Sequence, residues 1–512
     1  MLKRSALIPA AVVLRPAVAV LAALAVPAQI PTWTTIRVPT LSPSALTAAR
    51  DAAVAYDASN HVFFAVWTEV QRFPYYGNAT VGQFLSPDGT ILGTPLCMHC
   101  LGFPTEPAIA NVASRGAFVL ATNHGVFGLS AATGQITAQS GPISTPIALG
   151  GDASGTHNAA LLVRRNYSDL EAVEIIVEPG VAGVREGRSV PLAADMTYLE
   201  QAAVTANNGP AGRHFAVWTK GGDLFGAILD RNLNVLDEGV VLRSPDTLTS
   251  PAVAGDGSRW LVAFHARSAG QVSDRCLPVH WDTNRGSAFV GTPVDIGNPG
   301  SGLRPPSVTD LGEAFLIAYN DGVHGGGTLV TVDPFTCRPC QAAVGVGHLG
   351  TVALTSQREL GAAGEVALGF APFPQQSQAH FLATQDGQTM SLGGGCGRGG
   401  VSAATCARAG NNEFTLRLRD ARPEAPTVLV LGSAAAPYPC GPCALLVDAS
   451  SGATLPGGRT DPRGNAAVPV PLPALPTLVG ATLALQWVTA TGSSAACPLG
   501  FDFSDTLAVT IE

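Results

Sequence analysis

Charge is scarce in this chain. Asp, Glu, Lys and Arg make up 13% of the 512 residues, about half the usual share, which disfavours long solvated helices. Lysine occurs only as Lys3 and Lys220, and the formal net charge is -8. Phosphate binding needs a clustered basic surface, so a nucleic-acid partner is disfavoured. Long apolar runs are also missing: beyond the N-terminus no stretch is apolar enough to cross a membrane. The catalytic signatures HExxH, GxSxG and Walker A do not occur. "GVGHLG" at Gly345 to Gly350 formally fits GxGxxG, but the strand-like "TVALTS" follows it. Without a helix N-terminus to hold phosphate it reads as a loop between repeats.

Turn formers are what the chain has in abundance. Gly (58) and Pro (39) point to many short segments joined by turns, hence to an all-β protein. At the N-terminus, Lys3 and Arg4 precede "PAVAVLAALAV" (Pro16 to Val26) and the small residues "VPA" ending at Ala28. That order predicts a signal peptide over 1-28, because Arg15 and Pro16 leave the run short of a spanning helix. Its removal takes Lys3, Arg4 and Arg15 away and moves the formal charge from -8 to -11. The expected locations are secreted, periplasmic or cell-surface, with no transmembrane anchor after cleavage. The richness in Ala, Gly and Pro is similar to that of proteins from bacteria with GC-rich DNA.

One phrase returns along the chain. "AAVAYDASNHVFFAVWTEV" from Ala52 finds an echo in "SPAVAGDGSRWLVAFHAR" from Ser250. Aligned copies start near Val54, Ile109, Ile147, Val204, Val253, Val308 and Val352, at spacings of 38 to 57 residues. Each holds a short apolar strand, a polar or Gly turn, and a strand running to an aromatic or apolar position. "FFAVW", "HFAVW", "WLVAF" and "FLIAY" are the clear cases, and three copies are looser. Several copies continue into a second hairpin, with Asp88-Gly89 or Asn232 to Asn234 at the turn. Two hairpins per repeat make a four-stranded propeller blade.

These phrases, "PAVAYDG...W/YLVVW...SPDGT" in general form, resemble secreted bacterial β-propeller repeats of the non-WD40 kind, over residues 45 to 393. The resemblance implies a disc of blades around an axis and no single activity; the seven repeat starts count about seven four-stranded blades, with six or eight also compatible. The repeat stops at the Gly-rich "SLGGGCGRGG" (Ser391 to Gly400), a domain boundary. Beyond it, alternating strands such as "EFTLRLRDA", "TVLVLGSA" and "ATLALQWVTA" with Pro-rich turns predict a small β-sandwich. Together with "CGPCALLVD" and the terminal "LAVTIE", this succession resembles a C-terminal domain on many otherwise different exported bacterial proteins. That likeness implies an accessory module and no activity. The expected domains are therefore a propeller over 29-393 and a sandwich over 394-512.

The aromatics Trp67, Trp218, Phe264, Tyr319 and Phe370 invite a sugar-stacking role, but one fixed strand position per blade points to packing between sheets. Polar residues near the ends of the same strands, Glu69, Lys220, His265, Arg267, Asn320 and Asp321, are the candidates for a ligand-facing rim. Ten cysteines, Cys97, Cys100, Cys276, Cys337, Cys340, Cys396, Cys406, Cys440, Cys443 and Cys497, are an even number in an exported chain and predict disulfides of open pairing. "CGPC" (Cys440 to Cys443) matches a redox tetrapeptide but lies in a turn before a strand, without the helix N-terminus that lowers a thiol pKa. A zinc site from two CxxC pairs requires segments from distant repeats, and no metal or cofactor is expected. The acids of "SDLEAVEIIVEPG" (Ser168 to Gly180) alternate as a solvated strand does. His61, His124, His157, His214 and His280 show no ligand spacing. Asn78-Ala79-Thr80 and Asn166-Tyr167-Ser168 fit glycosylation sequons, of little meaning in a bacterial chain.

The leading expectation is an exported, non-enzymatic recognition or attachment protein of the cell surface, with a polysaccharide or a cell-surface protein as ligand. The alternative is a polysaccharide hydrolase or lyase, which requires Glu69, Asp321, His265 and Arg267 to share a cleft. A structural envelope component is the third reading.

Overall fold

The computed structural model describes residues 32–37 and 48–511, except 58, 72–76, 87–89, 103–106, 140–145, 153–156, 180–182, 198–200, 206–211, 298–304, 312–313, 322–325, 341–343, 346–352, 357–365, 373–376, 384–388, 397–398, 404–405, 413, 420, 449–451, 463 and 493–495. The expected signal peptide, Asp88-Gly89 and most of "GVGHLG" lie outside the described residues. Among the described residues no helix is long and apolar enough to cross a membrane. The chain divides into two compact units, Pro31–Gln385 and a second from Asp386 to Glu512.

The first unit is a seven-bladed propeller. Blade 1 runs outward through Ala48–Asp57, Val62–Gln71, Gly77–Leu85 and Ile91–Gly102, paired antiparallel in that order. Blades 2, 3 and 4 repeat the plan from Ala108–Val112, Pro146–Gly150 and Ala202–Val204; blades 5 and 6 start from Thr247–Gly255 and Ser307–Asp310. Blade 7 is built from Ala353–Ser356, Val366–Pro372 and Ser377–Ala383, and its outermost strand is Thr32–Arg37 from the other end of the unit. In blade 5 an extra strand, Val294–Gly297, also joins the third.

The innermost strands touch in a closed cycle: each meets the next, and Ala353–Ser356 meets both Ser307–Asp310 and Ala48–Asp57. Six of the seven repeat starts read from the sequence fall within these strands, and Val352 immediately precedes the seventh. The N-terminal strand pairs with Ser377–Ala383 over six residues, Thr32 opposite Ala383 through Arg37 opposite Gln378. Such pairing closes the ring and leaves blade 7 no missing fourth strand.

Blade packing explains the apolar runs. In blade 5, Trp260, Val262 and Phe264 meet Phe215, Val217 and Ile228 of blade 4. The alternate residues Leu261 and Ala263 meet Phe315, Ile317 and Val330 of blade 6. Both faces of a second strand are therefore buried, and it carries a continuous apolar run where a half-exposed strand alternates. The outermost strand Val235–Leu242 of blade 4, by contrast, is exposed or half-buried throughout. The recurring aspartates cap the hairpins. Asp57 Oδ1 accepts from the Ser59 and Asn60 amides at 2.8 and 3.1 Å, and Asp256 Oδ1 from Ser258 and Arg259 at 3.0 and 2.9 Å. Each is an Asx turn that satisfies amides the tight turn leaves unpaired.

The second unit is a β-sandwich. One sheet orders Thr389–Gly393, Thr506–Thr510, Thr482–Ala490, Pro426–Gly432 and Ala453–Arg459, with Phe501–Phe503 beside Thr482–Ala490. A second joins Gly400–Ala403, Thr415–Arg419 and Ala466–Pro469, and a hairpin pairs Ala434–Cys440 with Cys443–Val447. Strand Thr389–Gly393 hydrogen-bonds to Thr506–Thr510, so this unit takes in residues before the glycine run. The buried Gln486 ties the hairpin in: its Oε1 accepts from the Leu446 amide and its Nε2 donates to the Ala444 and Ser504 carbonyls, each at 2.9 Å.

Candidate functional site

Antiparallel order puts every turn between second and third strands at one end of the propeller, here called the upper rim. The candidates Glu69, Lys220, His265, Arg267, Asn320 and Asp321 all stand at or near the ends of second strands, and so at this end. The aromatics before them face inward between blades. Trp67 packs with Ala353 of blade 7, Trp218 with Leu161 and Val163 of blade 3, and Tyr319 with Leu261 and Ala263 of blade 5. Packing between neighbouring sheets is thus their role.

The polar candidates separate into three groups. Glu69 is buried, and Trp67 Nε1 donates to its Oε1 at 3.2 Å. His265 is also buried, cross-strand from Asp274, and its Nδ1 shares a 2.5 Å hydrogen bond with Asp274 Oδ1. Burial pushes the Asp274 carboxyl above the usual carboxylate range, an effect that the His265 bond opposes. The second oxygen, Oδ2, is buried without a hydrogen-bond partner among the described residues. Arg267 is exposed and Lys220 half-buried. The side chains of Asn320 and Asp321 lie outside the described residues. Glu69 on blade 1 and His265 on blade 5 are thus each enclosed in blade packing.

The structure adds a residue that the sequence reading passed over. Asn166 pairs with Asp169 across the upper turn of blade 3, so Tyr167 and Ser168 are its two central residues. Tyr167 has φ +59° and is 94% exposed. A two-residue hairpin reserves a positive φ for Gly, Asn or Asp, and an ordinary side chain there costs about 1–2 kcal/mol. The turn is joined to its surroundings: the Met196 amide donates to the Ser168 carbonyl at 2.6 Å. Nearby, Lys220 Nζ of blade 4 donates to the Ala194 carbonyl at 2.6 Å. Between these two contacts stands Asp195, exposed and also at positive φ, +55°. Blades 3 and 4 therefore present an aromatic face, the exposed carboxylates of Asp169 and Asp195, and an ammonium on one stretch of rim. The readable signal was an aromatic in "NYSD", where a glycine was due.

Other candidates resolve into structural contacts. Glu171 and Glu186 both pair with Arg164, at 2.8 and 2.6 Å; Glu178 pairs with Arg185 and Glu174 with His157. The four glutamates Glu171, Glu174, Glu178 and Glu186 of blade 3 are thus engaged by neighbouring side chains along the strands. No group of three His, Cys, Asp or Glu among the described residues is arranged to hold a metal ion. "CGPC" spans a hairpin turn whose cysteines bond elsewhere, Cys440 to Cys497 and Cys443 to Cys396, so the tetrapeptide is a structural turn. Cys97, Cys340 and Cys406 are disulfide-bonded too. The Cys100 side chain lies outside the described residues. Cys276 and Cys337 stand as buried thiols.

At the opposite end, His214 is 3% exposed and its Nδ1 lies 3.1 Å from the Thr205 carbonyl. Burial holds its pKa below the ordinary imidazole value, opposed by the Thr205 bond and by Asp152. The unfolded chain takes up a proton near pH ~6.5 that the folded chain refuses. Stability present above that pH is therefore lost as the pH falls towards the depressed folded value, by up to about 1.4 kcal/mol per pH unit. Chemical denaturation between pH ~7.5 and ~5 is expected to show this decline, and His214→Gln to flatten it. An identical pH slope in the variant refutes the assignment.

No family profile matches the sequence, and no curated protein matches it. Among solved structures, Sqt1 from Saccharomyces cerevisiae is similar at 9% identity and a TM-score of 0.39, over 72% of this chain and 92% of that one. A subtype N10 neuraminidase-like protein of A/little yellow-shouldered bat/Guatemala/060/2010 is similar at 9% identity and a TM-score of 0.37, over 69% and 98%.

Proposed function

We propose that this is an exported, non-enzymatic recognition or attachment protein that holds a saccharide chain on the upper rim of blades 3 and 4. The observation that carries the reading is Tyr167, an aromatic kept almost fully exposed in a backbone conformation that glycine adopts at no steric cost. A flat aromatic face stacks on the C–H face of a sugar ring, while Asp169, Asp195 and Lys220 offer acceptors and donors to its hydroxyls. Such a mixture of one apolar platform and a few polar groups is what small-ligand sites use. The closed scaffold supports the reading too, since a rigid ring can carry variable turns without loss of its core. Glu69 and His265, the groups a hydrolase or lyase would call on, are engaged in buried contacts.

The test is a panel of cell-surface, plant and algal polysaccharides, scored together for protein retention and for newly released chain ends. Wild-type protein is expected to be retained by at least one class without releasing ends. Tyr167→Ala is expected to weaken that retention about 5- to 10-fold, in line with the value of one aromatic contact. Tyr167→Gly is expected to lose retention equally while unfolding at higher denaturant, by about 1 kcal/mol. Equal retention of both variants refutes the site, and release of ends by the wild type replaces recognition with hydrolysis or lysis.

A further inference from the structure

We propose that Cys276 and Cys337 form a disulfide that ties blade 5 to blade 6. Cys276 lies on the third strand of blade 5, Gln271–Asp282, and faces blade 6 in the same layer as Leu261 and Ala263. Cys337 follows the third strand of blade 6, Gly326–Val332, in a turn held by Asp333. Its amide donates to the Asp333 carbonyl at 3.0 Å, and Asp333 Oδ1 accepts from the Phe335 and Thr336 amides. The turn places Cys337 at φ +55° and aims it at the seam.

Both residues are fully buried, at 0% exposure, among Phe315, Ile317, Val330 and Val332. The Cys276 thiol donates to the Cys337 carbonyl at 3.5 Å, so its sulfur stands directly against residue 337 across the seam. Among the described residues, seven other cysteines are disulfide-bonded: Cys97, Cys340, Cys396, Cys406, Cys440, Cys443 and Cys497. The same oxidising chemistry has a ready pair to join here, because each thiol has the other as its neighbour across the seam of two consecutive blades.

The seam also dictates when the bond forms. Both residues are closed off from solvent at 0% exposure, so no external disulfide reaches them in the packed layer, and burial pushes the Cys337 thiol far above its ordinary pKa. Oxidation therefore takes place while the seam is open, as blades 5 and 6 come together. One thiolate attacks an external disulfide, either that of an oxidised thiol oxidoreductase or a low-molecular-weight disulfide. The attack forms a mixed disulfide and expels one thiol. The second thiolate then attacks the protein sulfur of that mixed disulfide and expels the other thiol. Two protein S–H bonds give one S–S bond, and two electrons reduce the external disulfide to two thiols. Once closed, the bond spans 61 residues of chain and is sheltered by the layer that shelters the thiols. It also fixes the strand that carries Asp274, two residues from Cys276.

The full chain, made in an oxidising compartment and purified without reductant, is denatured, alkylated with iodoacetamide, digested and analysed by mass spectrometry. The expected result is a cross-linked peptide pair joining Cys276 to Cys337 that disappears on reduction. Alkylation of both residues before reduction overturns the proposal, as does a cross-link from either to another cysteine. The Cys337→Ala variant is expected to expose Cys276 as one newly alkylated thiol. If Cys276 is alkylated to the same extent in wild type and variant, the proposal fails whether or not the variant folds fully.

Discussion

A chain lacking residues 29–37 is expected to lose the cooperative unfolding of the propeller. The six-residue pairing between Thr32–Arg37 and Ser377–Ala383 supplies the fourth strand of blade 7, and at about 1 kcal/mol net per backbone hydrogen bond its loss costs at least ~3 kcal/mol. The larger effect follows from the exposed edge. Ser377–Ala383 presents unpaired amides and carbonyls to solvent once the N-terminal strand is gone, and an uncovered strand edge recruits other chains. Size-exclusion chromatography and thermal unfolding of the truncated and full-length proteins report this directly. The expected outcome is association at micromolar concentration and a melting temperature lower by about 5 °C or more, since ~1 kcal/mol shifts even a domain of ~150–250 residues by ~2–4 °C. Unchanged melting with a monomeric profile refutes closure by the N-terminal strand.

Trp260→Ala is the point substitution with the greatest expected cost, about 3–5 kcal/mol. The indole is 0% exposed between blades 4 and 5, with its ring centroid 5.4 Å from that of Phe215. A cavity there cannot close easily, because both neighbouring sheets are fixed by their own hydrogen-bond ladders. Gly255 marks how closely the space is filled: a Cβ added at that position falls 2.3 Å from Trp260 Cδ1 and 2.3 Å from the Arg259 carbonyl oxygen. Gly255→Ala is therefore expected to destabilise as well, by about 1–3 kcal/mol. Denaturant unfolding of the propeller measures both, and a loss under ~1 kcal/mol for Trp260→Ala refutes the packing argument.

The two substitutions and the truncation probe features of different legibility. The phrases "FFAVW" and "WLVAF" announce strands buried on both faces, because a continuous apolar run between turn signals has few other stable uses. Their seven starts also mark the innermost strands, since each blade begins where the chain returns to the axis. Closure by Thr32–Arg37 was beyond such reading: "TWTTIR" has no repeat partner beside it, and pairing between segments at opposite ends of a unit leaves no local pattern. The strand Thr389–Gly393 escaped for the same reason, as its partner Thr506–Thr510 lies near the other terminus.

For the candidate site the division is sharper. That Glu69, Lys220, His265 and Arg267 stand near turns at one end follows from strand order alone. Whether such a residue meets solvent depends on which way the pleat turns it and on what the next blade places opposite. His265 and Arg267 share one pleat face, yet His265 ends against Asp274 inside the seam, whereas Arg267, nearer the turn, is exposed. Tyr167 shows the converse, a residue whose turn was readable but whose positive φ and exposure were not. Local composition and periodicity determined the all-β class and the recurring four-stranded unit, because these rest on interactions among near neighbours in sequence. Ring closure, the cysteine partners and the choice between buried and presented polar groups were decided by the tertiary structure, because each depends on the meeting of segments far apart in the chain.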